Sequence, residues 1–79
     1  MELRNLRTFV HAAELNSFSK AADRLNYAQS TVTAQIDALE KELGVQLFHR
    51  NGKKISLSEA GQELLRYAYR FLQLESEVY

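Results

Sequence analysis

Five residues in the middle of the chain, Gln29, Ser30, Thr31, Thr33 and Ala34, have types and spacing that suit one particular chemistry. They fall near the start of a helical repeat whose other side carries Val32, Ile36, Leu39 and Leu43. Ser30, Thr33 and Ala34 face away from that apolar stripe, with Gln29 and Thr31 flanking them. A face of this kind is short, uncharged and able to approach a flat partner closely. A glutamine amide pairs bidentately with adenine, a hydroxyl bonds to several bases, and a small apolar group meets a thymine methyl. The same helix carries Asp37, Glu40 and Lys41 further along, as a solvated face would. The competing explanation is that Ser and Thr favour helix N-termini on their own account.

A second group is His49-Arg50-Asn51-Gly52-Lys53-Lys54. Arg50, Lys53 and Lys54 make a basic cluster with no acid among them. On an exposed loop beside a base-reading helix, such a cluster would reach phosphates and the adjacent minor groove. Lys53 is the strongest single candidate, with Arg50 and Lys54 supporting it. Ordinary solubilising charge on a turn is the alternative. No set of nucleophile, base and orienting group is visible, nor a glycine-rich phosphate loop, so no catalytic residue is expected. His11 and His49 are scattered and there is no cysteine, so no metal site and no cofactor are expected.

These residues need a scaffold, and the apolar periodicity supplies one. Leu3, Leu6, Phe9, Val10 and Ala13 predict a first helix over about residues 2 to 15. Asn16 breaks it and Ser17 is a good N-cap for a second helix lined by Phe18, Ala21, Ala22 and Leu25. Asn26 ends that helix, and Gly44 stops the third just past Leu43. Ala22 suits the close contact between helices two and three, Asn26 a left-handed turn, and Val32 the aliphatic knob that fixes the crossing angle. Asn51-Gly52 is a strong hairpin signal between two short strands. Ser58 then caps a final helix. The resulting fold class is mainly α: a winged helix-turn-helix of three helices, a two-stranded β-hairpin wing and a long C-terminal helix. The expected division is residues 1–57 for the winged unit and 58–79 for the last helix.

That last helix has apolar groups on more than one face. Leu64, Ala68, Phe71 and Val78 make one stripe, widened by Tyr67 and Leu74, and Leu65, Tyr69 and Leu72 make another. A small domain needs only one apolar face per helix. Leu65, Tyr69, Leu72 and Phe71 are therefore expected to meet a second copy of the chain, the alternative being a domain outside these residues.

Composition sets the outer bounds. Seventy-nine residues make one small domain with a marginal core. The charged N-terminus does not read as a signal peptide and no stretch is apolar enough to span a bilayer, so a cytoplasmic location is expected. Formal net charge is zero, which argues against a nucleic-acid partner if taken as a sum. The charges are segregated, however. Arg4, Arg7, Lys20, Arg24 and the wing cluster contrast with Asp37, Glu40, Glu42, Glu59, Glu63, Glu75 and Glu77, and the local field is what a partner meets.

Several segments carry a family resemblance covering almost the whole chain. They are Leu6-Arg7-Thr8-Phe9-Val10, then Ser17 through Leu25, Gln29 through Glu40, Leu43 through Arg50, and Ile55 through Gly61. In these the chain resembles the N-terminal domain of LysR-type transcriptional regulators. The resemblance implies a dimeric or tetrameric bacterial regulator that binds interrupted inverted repeats in double-stranded DNA. A further C-terminal domain would sense a small molecule. It places base contacts on Gln29, Ser30, Thr31, Thr33 and Ala34, a wing contact on Lys53 with Arg50 at a basic family position, and subunit pairing on the helix from Ser58 onward. Four departures stand out: Ala28 where a capping Ser is common, Ser30 where Pro is common, Ala34 where a basic residue is common, and Lys53-Lys54 for the commoner Arg-Gly. The runner-up is a winged-helix module that binds protein rather than DNA, which the zero net charge favours.

Overall fold

The computed structural model describes residues 1–52 and 54–78. The elements run α1 (Leu3–Leu15), α2 (Phe18–Leu25), α3 (Gln29–Leu43), β1 (Phe48–Asn51), β2 (Lys54–Leu57) and α4 (Glu59–Val78). This is the expected winged helix-turn-helix order.

The stop signals act through backbone geometry. Asn16, Asn26 and Gly44 close α1, α2 and α3 in the left-handed region, with φ of 50°, 60° and 72°. Asparagine and glycine tolerate that region better than other residues. Ser17 accepts the Lys20 amide at 3.1 Å, so α2 begins with a satisfied donor. Two asparagine turns thus fold α1, α2 and α3 into a tight three-helix cluster.

Its core is Leu6, Phe9, Val10, Ala12 and Ala13 from α1, Ala21 and Ala22 from α2, and Val32, Ile36 and Leu39 from α3. Leu47 and Phe48 enter it at the start of the wing. The Phe48 ring lies edge-on to Phe18 and tilted against Phe9, with centroids 5.3 and 5.5 Å apart. Aromatic pairs in these arrangements stabilise beyond the area they bury. Thr8 is buried too, and its hydroxyl donates to Gln35 Oε1 of α3 at 2.6 Å. Leu3, Leu43 and Val45, read as members of apolar runs, are partly exposed instead. They lie at or beyond the ends of α1 and α3, where the cluster no longer covers them.

The hairpin differs from its expected centre by one residue. Asn51 pairs with Lys54 as the last rung of the antiparallel ladder, and Phe48 pairs with Leu57 as the first. Asn51 is therefore part of the ladder rather than of the turn, and Gly52 follows it at φ 62°. Asn51 remains extended in β1. The expected contact residue Lys53 lies outside the described residues.

Ser58 ties the wing to α4. Its amide donates to Leu47 O at 2.9 Å, its hydroxyl donates to Gln46 O at 2.6 Å, and its Oγ accepts the Gly61 amide at 2.9 Å. Gly61 is needed here because a Cβ would sit 2.2 Å from Leu47 O and 2.8 Å from Leu57 Cδ2. With no side chain at 61, α4 comes down close to the start of the wing and lays Leu65, Ala68 and Leu72 against the core.

Candidate nucleic-acid interface

The interface is built around the first two turns of α3. Val32 and Ile36 are fully buried and fix the helix's rotation about its own axis. That rotation leaves Gln29, Ser30, Thr31 and Ala34 exposed and Thr33 half-buried. The five expected base-facing residues therefore share one outward surface. Among the described residues, no side-chain hydrogen bond engages Gln29, Ser30, Thr31 or Thr33. Their donors and acceptors remain available. Ala28 occupies the N-cap in an extended conformation, and no side chain caps the helix. Thr31 and Val32 donate instead to the Ala28 carbonyl, at 3.0 and 3.3 Å.

Between this surface and the hairpin lies an open concavity of about 510 Å³, lined by Ser17, Phe18, Ser19, Gln29, Thr33, Arg50, Gly52 and Ile55. The start of α2, the start of α3 and the wing converge on it. All its polar lining side chains are uncharged except Arg50. The acids of α3, Asp37 and Glu40, begin one turn further on, where the wing covers the helix.

The wing's basic residues divide. Lys54 is exposed in β2 near the tip, and it makes no salt bridge among the described residues. Arg50 is already engaged. Its Nη2 donates to Asp37 Oδ1 at 2.8 Å and to Glu40 Oε1 at 2.9 Å. Its guanidinium carbon sits 5.2 Å from the centre of the Phe18 ring. Of the other basic residues, Arg7 pairs with Glu75 and Arg24 with Glu14. Much of the positive charge in the first third of the chain is thus neutralised between helices, while Lys20 stays exposed and outside any salt bridge among the described residues. His49 is exposed on β1 and His11 half-buried beside Arg24. Among the described residues no group of three or more His, Cys, Asp or Glu could hold a metal ion, and no helix is long and apolar enough to cross a membrane.

On α4 the four residues expected to meet a second copy separate. Leu65 and Leu72 turn towards the chain's own core, because the close approach at Gly61 sets which face of the helix points inward. Tyr69 is exposed and its hydroxyl donates to Glu14 Oε2 at 2.7 Å. That hydrogen bond, some desolvation and the negative charge of Glu14 together raise the Tyr69 phenol above its ordinary pKa. Phe71 lies 52% exposed and shares its side of the helix with Tyr67, Leu74 and Val78, all exposed as well. Their 4-3-4 spacing is the signal in the sequence that marks this stripe. Tyr67 also lies under two guanidinium groups, Arg66 at 5.9 Å and Arg70 at 5.6 Å.

A helix-turn-helix with a flanking β-wing, an uncharged outward face at the start of its third helix and a last helix with apolar groups on several sides defines the class of winged helix-turn-helix domains. Within that class, the chain belongs to the lysR family of bacterial regulatory helix-turn-helix proteins, whose model matches residues 3–62. It is 49% identical over 77 residues to the uncharacterized HTH-type transcriptional regulator YwqM of Bacillus subtilis (strain 168), a match covering 98% of this chain and 26% of that one. It is 45% identical over 74 residues to the HTH-type transcriptional regulator YofA of the same organism, covering 94% and 26%. The chain thus spans about a quarter of the length of these relatives. Among solved structures, the CbnR DNA-binding domain in complex with DNA superposes with a TM-score of 0.95 at 40% identity, covering 99% of this chain and 90% of that one. The BenM DNA-binding domain with benA site 1 DNA gives 0.93 at 41% identity, covering 99% and 91%.

Proposed function

We propose that this chain binds double-stranded DNA sequence-specifically as the DNA-binding domain of a LysR-type regulator. The carrying observation is the surface at the start of α3, with Gln29, Ser30, Thr31 and Ala34 exposed, Thr33 half-buried, and no side-chain hydrogen bond to any of them among the described residues. A helix presented in this way fits a major groove with its first turns against base edges. The wing then lies along the flanking backbone, where Lys53 and Lys54 supply phosphate or minor-groove contacts and Arg50 supports them from the strand. Similarity to two DNA-binding domains solved with DNA favours this reading over a protein-binding module. Zero net charge is compatible with it, because most of the acids are paired or lie away from the α3 surface.

The reading extends to assembly. Residues 1–57 are the unit that meets DNA, and the segment 58–79, whose described helix is α4, pairs two subunits in the cytoplasm. The exposed stripe of Tyr67, Phe71, Leu74 and Val78 offers the second copy its surface, with Tyr69 at its border. A two-fold pair reads two half-sites, so the site is an interrupted inverted repeat.

Selection from a random duplex library tests the whole proposal. Enrichment of an inverted repeat supports both the base-reading surface and the pairing. Enrichment of a lone half-site would keep the first and remove the second, and no enrichment over input would remove both.

A further inference from the structure

We propose that Glu40 and Arg50 are positioning residues that hold the wing against α3, and that Arg50 acts on DNA through that position rather than as a phosphate ligand. The proposal deepens the DNA-binding reading and rests on it.

Glu40 is the hub. Its Oε2 accepts the backbone amides of Leu47 and Phe48, at 2.7 and 3.3 Å, where the chain turns into the wing. Its Oε1 accepts Arg50 Nη2 at 2.9 Å, further along the same strand. One carboxylate on α3 therefore grips the wing at three points. Its side chain is only 15% exposed, so these bonds are shielded from water more than a surface pair. Arg50 completes the latch from the other side. It bridges Glu40 and Asp37, which lie one helical turn apart on α3, and it stacks over Phe18 of α2. Phe18 in turn meets Phe48 edge-on. The planar guanidinium thus joins α2, α3 and β1. Both acids are met by the one nitrogen Nη2, so a lysine could supply those donors but not the delocalised planar cation that Arg50 places over the Phe18 ring at the same time.

Field and geometry make opposite demands at this site. Asp37 and Glu40 stand one turn from the surface proposed to meet DNA, and their charge repels phosphate. On charge alone, removing an acid here should strengthen binding to any duplex. If Glu40 is a positioning residue, its removal should do the reverse.

The variant Glu40→Gln separates the two, since glutamine keeps one acceptor oxygen and puts a donor NH2 in place of the other, so it cannot serve both the two backbone amides and Arg50. Amide hydrogen exchange should show Leu47 and Phe48 exchanging about tenfold faster, with Leu6 and Phe9 of α1 unchanged. Duplex affinity should fall about tenfold despite the lost negative charge. In that background Lys54→Ala should add no further loss, although it weakens the parent, because a wing out of place no longer delivers Lys54. Arg50→Lys keeps the charge, is solvent-accessible and should fold. It should lose affinity as Glu40→Gln does, and it carries the same test should Glu40→Gln unfold. Parental or tighter binding by either variant would overturn the proposal, as would equal losses from Lys54→Ala in both backgrounds. A parent that binds no duplex at any salt would overturn the DNA-binding reading instead, and the exchange rates at Leu47 and Phe48 would still decide the latch.

Discussion

The two halves of α3 are built for opposite purposes. Over Gln29–Ala34 the outward side chains are small or amide-bearing, uncharged and, among the described residues, without side-chain hydrogen-bond partners. Over Asp37–Glu40 the polar side chains are charged and committed to the wing's amides and to Arg50. Both halves share one inward face, Val32, Ile36 and Leu39. On the proposed reading, the difference teaches how one helix serves both recognition and scaffold. Recognition needs hydrogen-bonding groups left free for an incoming partner, whereas positioning needs groups already satisfied within the fold.

The shared face gives the largest expected effect. Ile36→Ala removes buried aliphatic volume beneath both halves and should destabilise the domain by about 2–5 kcal/mol, read by thermal or urea unfolding. A loss much below that would show that the two halves do not depend on a common core. Next comes the free half. Gln29→Ala should leave stability within about 0.5 kcal/mol yet weaken the selected site by about 1–3 kcal/mol. Competition with random duplex measures the second figure, and equal losses on both DNAs would remove Gln29 from base reading. Lys54→Ala in the parent should weaken all duplexes alike and reduce the salt slope by about one. A loss confined to one sequence would move Lys54 from backbone to base contact. The smallest effect concerns the uncapped start of α3. Ala28→Ser should add about 1 kcal/mol of stability by capping the first turn, and a neutral result in unfolding would mean the helix start is satisfied in another way.

Local chemistry made much of this legible in the sequence. Asn16, Asn26 and Gly44 stop helices because they accept a left-handed backbone, and Ser17 and Ser58 cap helices because a side-chain oxygen reaches a free amide. Such signals act over a few residues and need no tertiary partner. The outward set proposed to meet bases was legible for a related reason, since helical periodicity alone puts Ser30 and Ala34 opposite Val32, while Thr33 lies at the border of the inward face and is half-buried. The centre of the hairpin was less so. Both Asn51 and Gly52 accept a tight turn, and the choice is made by the register that pairs Phe48 with Leu57. The inward face of α4 was hidden for a further reason. A helix with apolar residues on several sides does not declare which side is its own core. Gly61 decides it by allowing contact with Leu47, and the run Gly61, Leu65, Ala68, Leu72 is its trace in the sequence. The partners of Arg50 depend on how β1 crosses α3, a relation between distant segments that a basic residue on a turn does not reveal.

The central claim is that the free half of α3 and the wing together meet duplex DNA. Fluorescence anisotropy of a labelled random duplex, titrated with the folded domain at low and at physiological salt, tests it most directly. The account predicts binding at low salt that weakens steeply as salt rises, because phosphate contacts release counterions. Absence of binding at low salt, from protein shown to be folded, would contradict it and turn attention to a protein partner for the same surface.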